Sequence, residues 1–354
     1  MKFNYKIKQI KEDFVVNEIS LQPNFCHHNN SDFSYLWIEK RGMTTFDALD
    51  KIKKEFNLNQ EGVSAQGLKD EDGITYQLIS IRKIIFKNDI ELFNKKFNSD
   101  DYRLQIKNIE GYGKNSLTPR LLHGNSFKLT LRNLDQETTE LFYNYCKNNR
   151  FINFLNYYDN QRFGIVGGPY NTHLIGKAII NENWITAYKE FKKSKNSELA
   201  NVKKPITINH AHCKQFFKQI NFAKVHFFIS SYNSYLWNKK ASDYISKTEE
   251  NTFQYHFSKI GSLSLIRNET FQVRNILAVN GYEIDKDTYK VIQKEYVRNM
   301  LITTTIFPTS TGKDELNKGK RKIQISFFIP TGCYATMLIK QIFIKLNKSL
   351  CWEK

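Results

Sequence analysis

Residues 64–77 read SAQGLKDEDGITYQ. Gly67, Lys69 and Asp70 stand close together, Glu71 and Asp72 follow, and Gly73-Ile74-Thr75-Tyr76-Gln77 begins an alternating strand-like run. A turn feeding a strand is an ordinary surface feature. It is also a way to present one carboxylate at the end of a strand, where a substrate can reach it. The surroundings fix the fold class. DFVVNEI, SYLWIEKR, GITYQLISI, NSFKLTLRNL and KIQISFFIP alternate branched or aromatic residues as strands do. TTFDALDKIKKEFNL repeats Phe46, Leu49, Ile52 and Phe56 at helical spacing behind a Thr44 or Thr45 cap. LDQETTELFYNYCKNN, VHFFISSYNSYLWNKKASDYI and YATMLIKQIFIKL read as further helices. The strands and helices lack a regular βαβ rhythm, so the pattern predicts an α+β fold with a mixed or antiparallel sheet.

Two stretches read as domain edges: the Gly-Gly-Pro break near residue 168 and the polar, basic run PTSTGKDELNKGKRK at 308–322. The block between them, which contains YKEFKKSKNSELANVKKP, differs in texture from its flanks. The organisation expected is one domain from residues 1–168 and 320–354, interrupted by an insertion at 169–319.

Fifty-three Lys and Arg against 35 Asp and Glu give 354 residues a formal charge of +18. Such a chain attracts polyanions, and RNA is the partner expected. Its lysine-rich, glycine-poor composition also fits codon bias, as do its 27 Phe and 19 Tyr. No apolar stretch is long enough to span a bilayer, and MKFNYKIKQIKEDF has no apolar core of a secretory signal. Five irregularly spaced cysteines point to reduced thiols, and a cytoplasmic location is expected.

Several motifs fall short of the chemistry they resemble. HLIGKAI lacks the upstream glycine of a phosphate-binding loop and has Ala178 where a hydroxyl would hold magnesium. STGKDE lacks the first glycine as well. CHH at 26–28 and HAHC at 210–213 have no second pair at zinc spacing. Neither a metal nor a cofactor is expected.

GLKD followed by ITYQ resembles the central motif of the TruD family of tRNA pseudouridine synthases. Further segments match in order: KQIKEDFVVNEI its N-terminal lysine and Asp-Phe-Val-Val signature, HGNSFKLTLR its Gly-Asn-x-Phe strand, NYYDNQRFG its Asn-Tyr-Phe-Gly-x-Gln-Arg-Phe-Gly block, and FFIPTGCYAT its C-terminal block. The likeness is strongest at 8–168 and 323–342.

That resemblance implies a pseudouridine-synthase-like catalytic domain with a family-specific insertion. The implied reaction isomerises uridine 13 in the D-arm of tRNA, needs no cofactor, and is carried by Asp70. An aspartate of ordinary pKa, about 3.9, is charged at neutral pH. Lys8 matches the family's active-site lysine, with Arg162 a second cation. Asn156 falls where an amide reads the uracil edge, Tyr158 at a stacking phenylalanine and Tyr334 at the C-terminal aromatic position. Phe14 and Lys69 complete the expected RNA-contacting set. The implied partner is tRNA, with no membrane or obligate protein partner, and the default state is a monomer. Glu71 stands directly after the aspartate, where relatives carry a basic residue, with Asp72 next, and Asp159 replaces a glycine that uses backbone freedom. These departures keep a rival open: a non-catalytic tRNA-binding or tRNA-folding protein derived from the family.

Overall fold

A computed structural model describes residues 4–21, 23–59, 61–97, 103–149, 151–164, 168–193, 205–220, 222–257, 260–267 and 275–347. The lysine-rich run from 194 to 204 lies outside the described residues. The chain forms two compact units, residues 1–152 with 303–335 and residues 153–302 with 336–354.

The first unit opens with β1 (Phe14–Ser20), β2 (Phe33–Arg41), α1 (Thr45–Glu55), β3 (Val63–Ala65) and β4 (Ile74–Ile81). It continues with α2 (Lys87–Lys96), β5 (Arg103–Gly113), β6 (Leu122–Leu134) and α3 (Gln136–Asn148). Local chemistry sets the helix starts. Thr44 Oγ1 accepts from Asp47 N at 3.1 Å while the Asp47 carboxylate accepts from Thr44 N at 3.3 Å, a reciprocal cap for α1. Asp135 Oδ1 accepts from Thr138 N at 2.7 Å and caps α3. One expectation fails in α1. Phe46 is 59% exposed, and Ala48, fully buried, takes the inward place beside Ile52.

The second unit contains β7 (Ile152–Leu155), α4 (Thr172–Ile180), α5 (Trp184–Lys193), α6 (His210–Gln219) and α7 (Phe222–Thr248), then β8 (Thr252–Phe257), β9 (Gly261–Ile266), β10 (Ile276–Ile284), β11 (Val291–Asn299) and β12 (Leu301–Thr304). Strands β8 and β9 form one antiparallel pair, β10 and β11 another. Trp184, Phe191, Phe217, Phe228 and Ile179 fill the core between the helices. The HLIGKAI stretch is helix α4. A Cβ on its Gly176 would lie 2.0 Å from the Phe228 carbonyl oxygen, so this glycine serves the close approach of α4 to α7.

The chain then returns to the first unit through β13 (Ile306–Lys313) and β14 (Arg321–Pro330), and α8 (Ala335–Leu346) follows, in the second unit from Thr336 on. The large sheet has the order β13-β14-β6-β1-β4-β2-β5, with β3 also on β4. Only β1 and β4 run parallel among its registered ladders. The polar run at 308–322, expected as an edge between domains, is the β13–β14 hairpin of this sheet. Its Thr-Gly-Lys lies in strand β13. Leu36, Ile38, Ile79, Ile81, Leu104 and Ile106 pack with Ile52 of α1 and Phe93 of α2. Among the described residues no helix is long and apolar enough to cross a membrane.

Candidate active site

The Gly67-Leu68-Lys69-Asp70 segment links β3 to β4, and β1 and β3 share one side of β4. A Cβ on Gly73 would stand 2.4 Å from the Phe14 carbonyl oxygen. Glycine there lets the loop lie directly on the start of β1. Lys8 belongs to the segment leading into β1, and it brings its ammonium 2.8 Å from Asp70 Oδ1. The two side chains are 17% and 19% exposed, so the pair is sheltered but reachable. Lys8 has a left-handed backbone, φ +61°, which a lysine adopts at a cost. Its ammonium also lies 4.1 Å from the centre of the Phe14 ring. Phe14 is 1% exposed and edge-on to Phe127 at 5.8 Å, so it is a floor beneath Lys8.

Asp70 is held by its backbone as well. Lys40 of β2, 1% exposed, donates to the carbonyls of Asp70 at 2.6 Å, Met43 at 3.0 Å and Lys69 at 3.3 Å. Burial lowers the Lys40 pKa to about 8, with the Asp70 charge opposing. Lys69 N donates to Thr45 Oγ1 at 2.9 Å, and Thr45 Oγ1 donates to Gln77 Oε1 at 3.2 Å. The Lys69 ammonium turns inward and pairs with Glu18 of β1 at 2.5 Å, with side chains 5% and 0% exposed. Burial raises the Glu18 pKa, and Lys69 opposes the rise. Glu71 and Asp72 are exposed, away from the buried face of the loop.

Asn156, Tyr158 and Arg162 lie together in the second unit. Asn156 is 3% exposed. Its Oδ1 accepts from Arg298 Nη2 at 2.7 Å, and its Nδ2 donates to the Asn299 carbonyl at 3.0 Å. Both ends of the amide expected to read uracil thus engage the protein's own chain. Arg298 also donates to the Asn156 carbonyl at 3.0 and 2.9 Å, and its guanidinium carbon lies 3.9 Å from the Tyr158 ring centre. Tyr158 is half-buried, edge-on to Trp237 at 5.9 Å. Asn238 brackets its backbone, accepting from Tyr158 N and donating to Tyr158 O, both at 2.9 Å. Arg162 donates through Nε to Ser234 Oγ at 3.0 Å and through Nη2 to Ser230 Oγ. Asp159 takes no left-handed backbone: φ is −92° and ψ 172°, open to any residue. Tyr334, half-buried, stands immediately before α8 in the first unit.

Lys8, Phe14, Lys69 and Asp70 therefore meet, and Asn156, Tyr158 and Arg162 form their own cluster. Lys40, Glu18 and Arg298 were not singled out from sequence, and Thr45 only as a possible helix cap, a place that Thr44 takes. The only signal for Gln77 was its place in the Thr-x-Gln of the central motif. Chemically, the first cluster offers a carboxylate braced by one ammonium at its oxygen and another at its backbone.

The chain is similar to known proteins over most of its length. A family model described as tRNA pseudouridine synthase D (TruD) matches residues 2–207. The tRNA pseudouridine synthase D of Leptospira interrogans is 28% identical, with 96% of each chain aligned. The Methanococcus maripaludis protein named "Probable tRNA pseudouridine synthase D 1" is 26% identical, covering 96% of this chain and 99% of its own. A crystal structure from Methanosarcina mazei, assigned as a TruD protein, superposes with a TM-score of 0.59 at 20% identity over 97% of this chain and 94% of that one. At that identity the likeness speaks for the fold, which is shared. With over half its length inside the family pattern, this chain belongs to the tRNA pseudouridine synthase D (TruD) family.

Proposed function

We propose that the protein isomerises uridine 13 in the D-arm of tRNA to pseudouridine, with Asp70 as its catalytic carboxylate. The observation that carries this reading is the 2.8 Å Lys8–Asp70 pair, on a loop fastened by Lys40 and Thr45. In the reaction the N1–C1′ bond breaks, the base turns, and C5 bonds to C1′. The C5 proton is lost and N1 gains one, so atoms and electrons balance without ATP or a redox partner. The carboxylate acts as nucleophile at C1′ or as base at C2′. The target uridine leaves its stack to reach it.

In this reading Lys8, on its Phe14 floor, aims the carboxylate and meets the nucleotide, and Lys69 holds the loop to β1 through Glu18. Arg162, Tyr158 and Tyr334 contact the RNA, and Asn156 does so through the Arg298 it orients. The reading keeps a catalytic domain drawn from both ends of the chain and an insertion between them that ends before β13 rather than at 319, in a cytoplasmic monomer. The test is pseudouridine at position 13 after incubating an unmodified tRNA transcript with purified protein or its Asp70→Asn variant. Product from the wild type alone, with equal tRNA binding, supports it. Equal binding without product from either leaves a tRNA-binding relative and overturns it.

A further inference from the structure

A lysine that is 1% exposed is costly unless its donors are satisfied and its charge is used. The three donors of the Lys40 ammonium meet three carbonyls, those of Met43, Lys69 and Asp70. Two of these belong to the loop that carries the proposed catalytic carboxylate. We propose that Lys40 is a positioning residue for Asp70: its charged ammonium ties that loop to the turn after β2 and thereby fixes the direction in which the Asp70 side chain leaves the backbone. This rests on the reading of Asp70 as catalyst.

The charge state decides whether the tie holds. A neutral amine keeps two N–H donors and turns a lone pair outward, so one of the three carbonyls loses its bond and faces another electron pair. Deprotonation therefore loosens the loop. The charged groups acting on Lys40 are Asp70, Lys69 and Glu71 from the loop and Asp47 from α1. Behind them, Lys8 from the segment before β1 pairs with Asp70, and Glu18 of β1 pairs with Lys69. Burial outweighs the acids and brings Lys40 into the range of ordinary buffers, at about 8.

The experiment is the single-turnover rate of pseudouridine formation across pH, with tRNA affinity measured in parallel, for wild type, Lys40→Arg and Lys40→Met. The wild-type rate should fall as pH rises through about 8. Lys40→Arg, which stays charged and keeps several donors, should carry its rate to higher pH without that fall. Lys40→Met should lose on the order of 100-fold in rate per folded molecule, while tRNA binds as before. A wild-type rate that stays flat well above pH 8 overturns the proposal even if both variants fail to fold. A folded Lys40→Met that keeps the wild-type rate overturns it too. A wild type that makes no product at any pH overturns the catalytic reading of Asp70 and this inference with it, which distinguishes the two failures.

Discussion

Lys340 of α8 and Asp159, ahead of the short turn of helix at 160–162, form an ion pair of 2.5 Å with the carboxylate 3% exposed. Thr336 Oγ1 donates to the other oxygen, and Asn160 N donates to Oδ1 at 2.7 Å. The acid that departs from the family pattern is thus fully engaged. Lys340→Met leaves a buried carboxylate without its cation and should cost about 3 kcal/mol. Asp159→Gly removes the charge together with its partner's role and should cost less, since its backbone is ordinary. Urea denaturation of the two variants gives the order. A costlier Asp159→Gly would show that this account of Asp159 is wrong.

Gly73→Ala tests the contact of the loop with β1. The added methyl would meet the Phe14 carbonyl at 2.4 Å and the Phe14 ring at 3.1 Å, and one of these is backbone inside a ladder. Loss of about 1–3 kcal/mol in unfolding free energy is expected, as for overpacking. Product formation should fall more than stability alone explains, because the displaced segment bears Asp70. Rates normalised to folded protein make the comparison.

Arg132 of β6 is 3% exposed and bonds Asp13 at 2.7 Å, Asp314 at 2.9 Å and Glu315 at 3.0 Å. Burial would raise the Asp314 pKa, but hydrogen bonds from Asn133, Asn317, Leu316 and Arg132 overcome it and leave it lowered. The Arg132 and Lys322 hydrogen bonds hold Glu315 at about 2. Lowered carboxylates stabilise the fold above their unfolded pKa, near 4, and that contribution is lost as pH falls through the folded values. Unfolding midpoints should therefore drop between about pH 4 and pH 2. Arg132→Met, which strands two buried aspartates, should cost about 3–5 kcal/mol at neutral pH and flatten the acid limb.

His173 of α4 stacks on Tyr235 at 5.0 Å and meets Phe163 edge-on at 5.3 Å. Burial lowers its pKa to about 4, with Glu190 opposing. Below pH 6.5 the unfolded chain takes up a proton that the folded one refuses, so stability declines from about 6.5 down to about 4. His173→Phe keeps the ring contacts and should abolish that part of the slope. Identical slopes in both proteins would place the titration elsewhere.

Much of the fold is legible in the sequence because it is local. Thr44 and Asp135 cap helices through hydrogen bonds to residues three positions on, and alternation marks the strands. The hairpin at 308–322 was not legible: its strand β13 carries Pro308 and a bulge between Pro308 and Ser310, and its partner β14 completes a sheet begun far earlier. Lys40 was hidden for another reason. Strand β2 is covered on nearly all its length, so alternation does not tell which positions face solvent, and a lysine in it reads as outward. Arg298 escapes because its partners Asn156 and Tyr158 are some 140 residues away. In the candidate site, Asp70 and Lys8 were visible through motif order, whereas the residues that hold them are visible only in three dimensions.

The strand order bears on how the molecule is made. Strand β6 lies between β1 and β14, and about 190 residues separate the end of β6 from the start of β14. At translation speeds of about 5–20 residues per second, the ribosome needs roughly 10–40 s to supply that neighbour. For that interval the nascent sheet exposes a long edge that includes Phe127, Leu129 and Leu131, an open template for mispairing. The delay makes the free edge of β6 the place where mispairing competes with native pairing during synthesis.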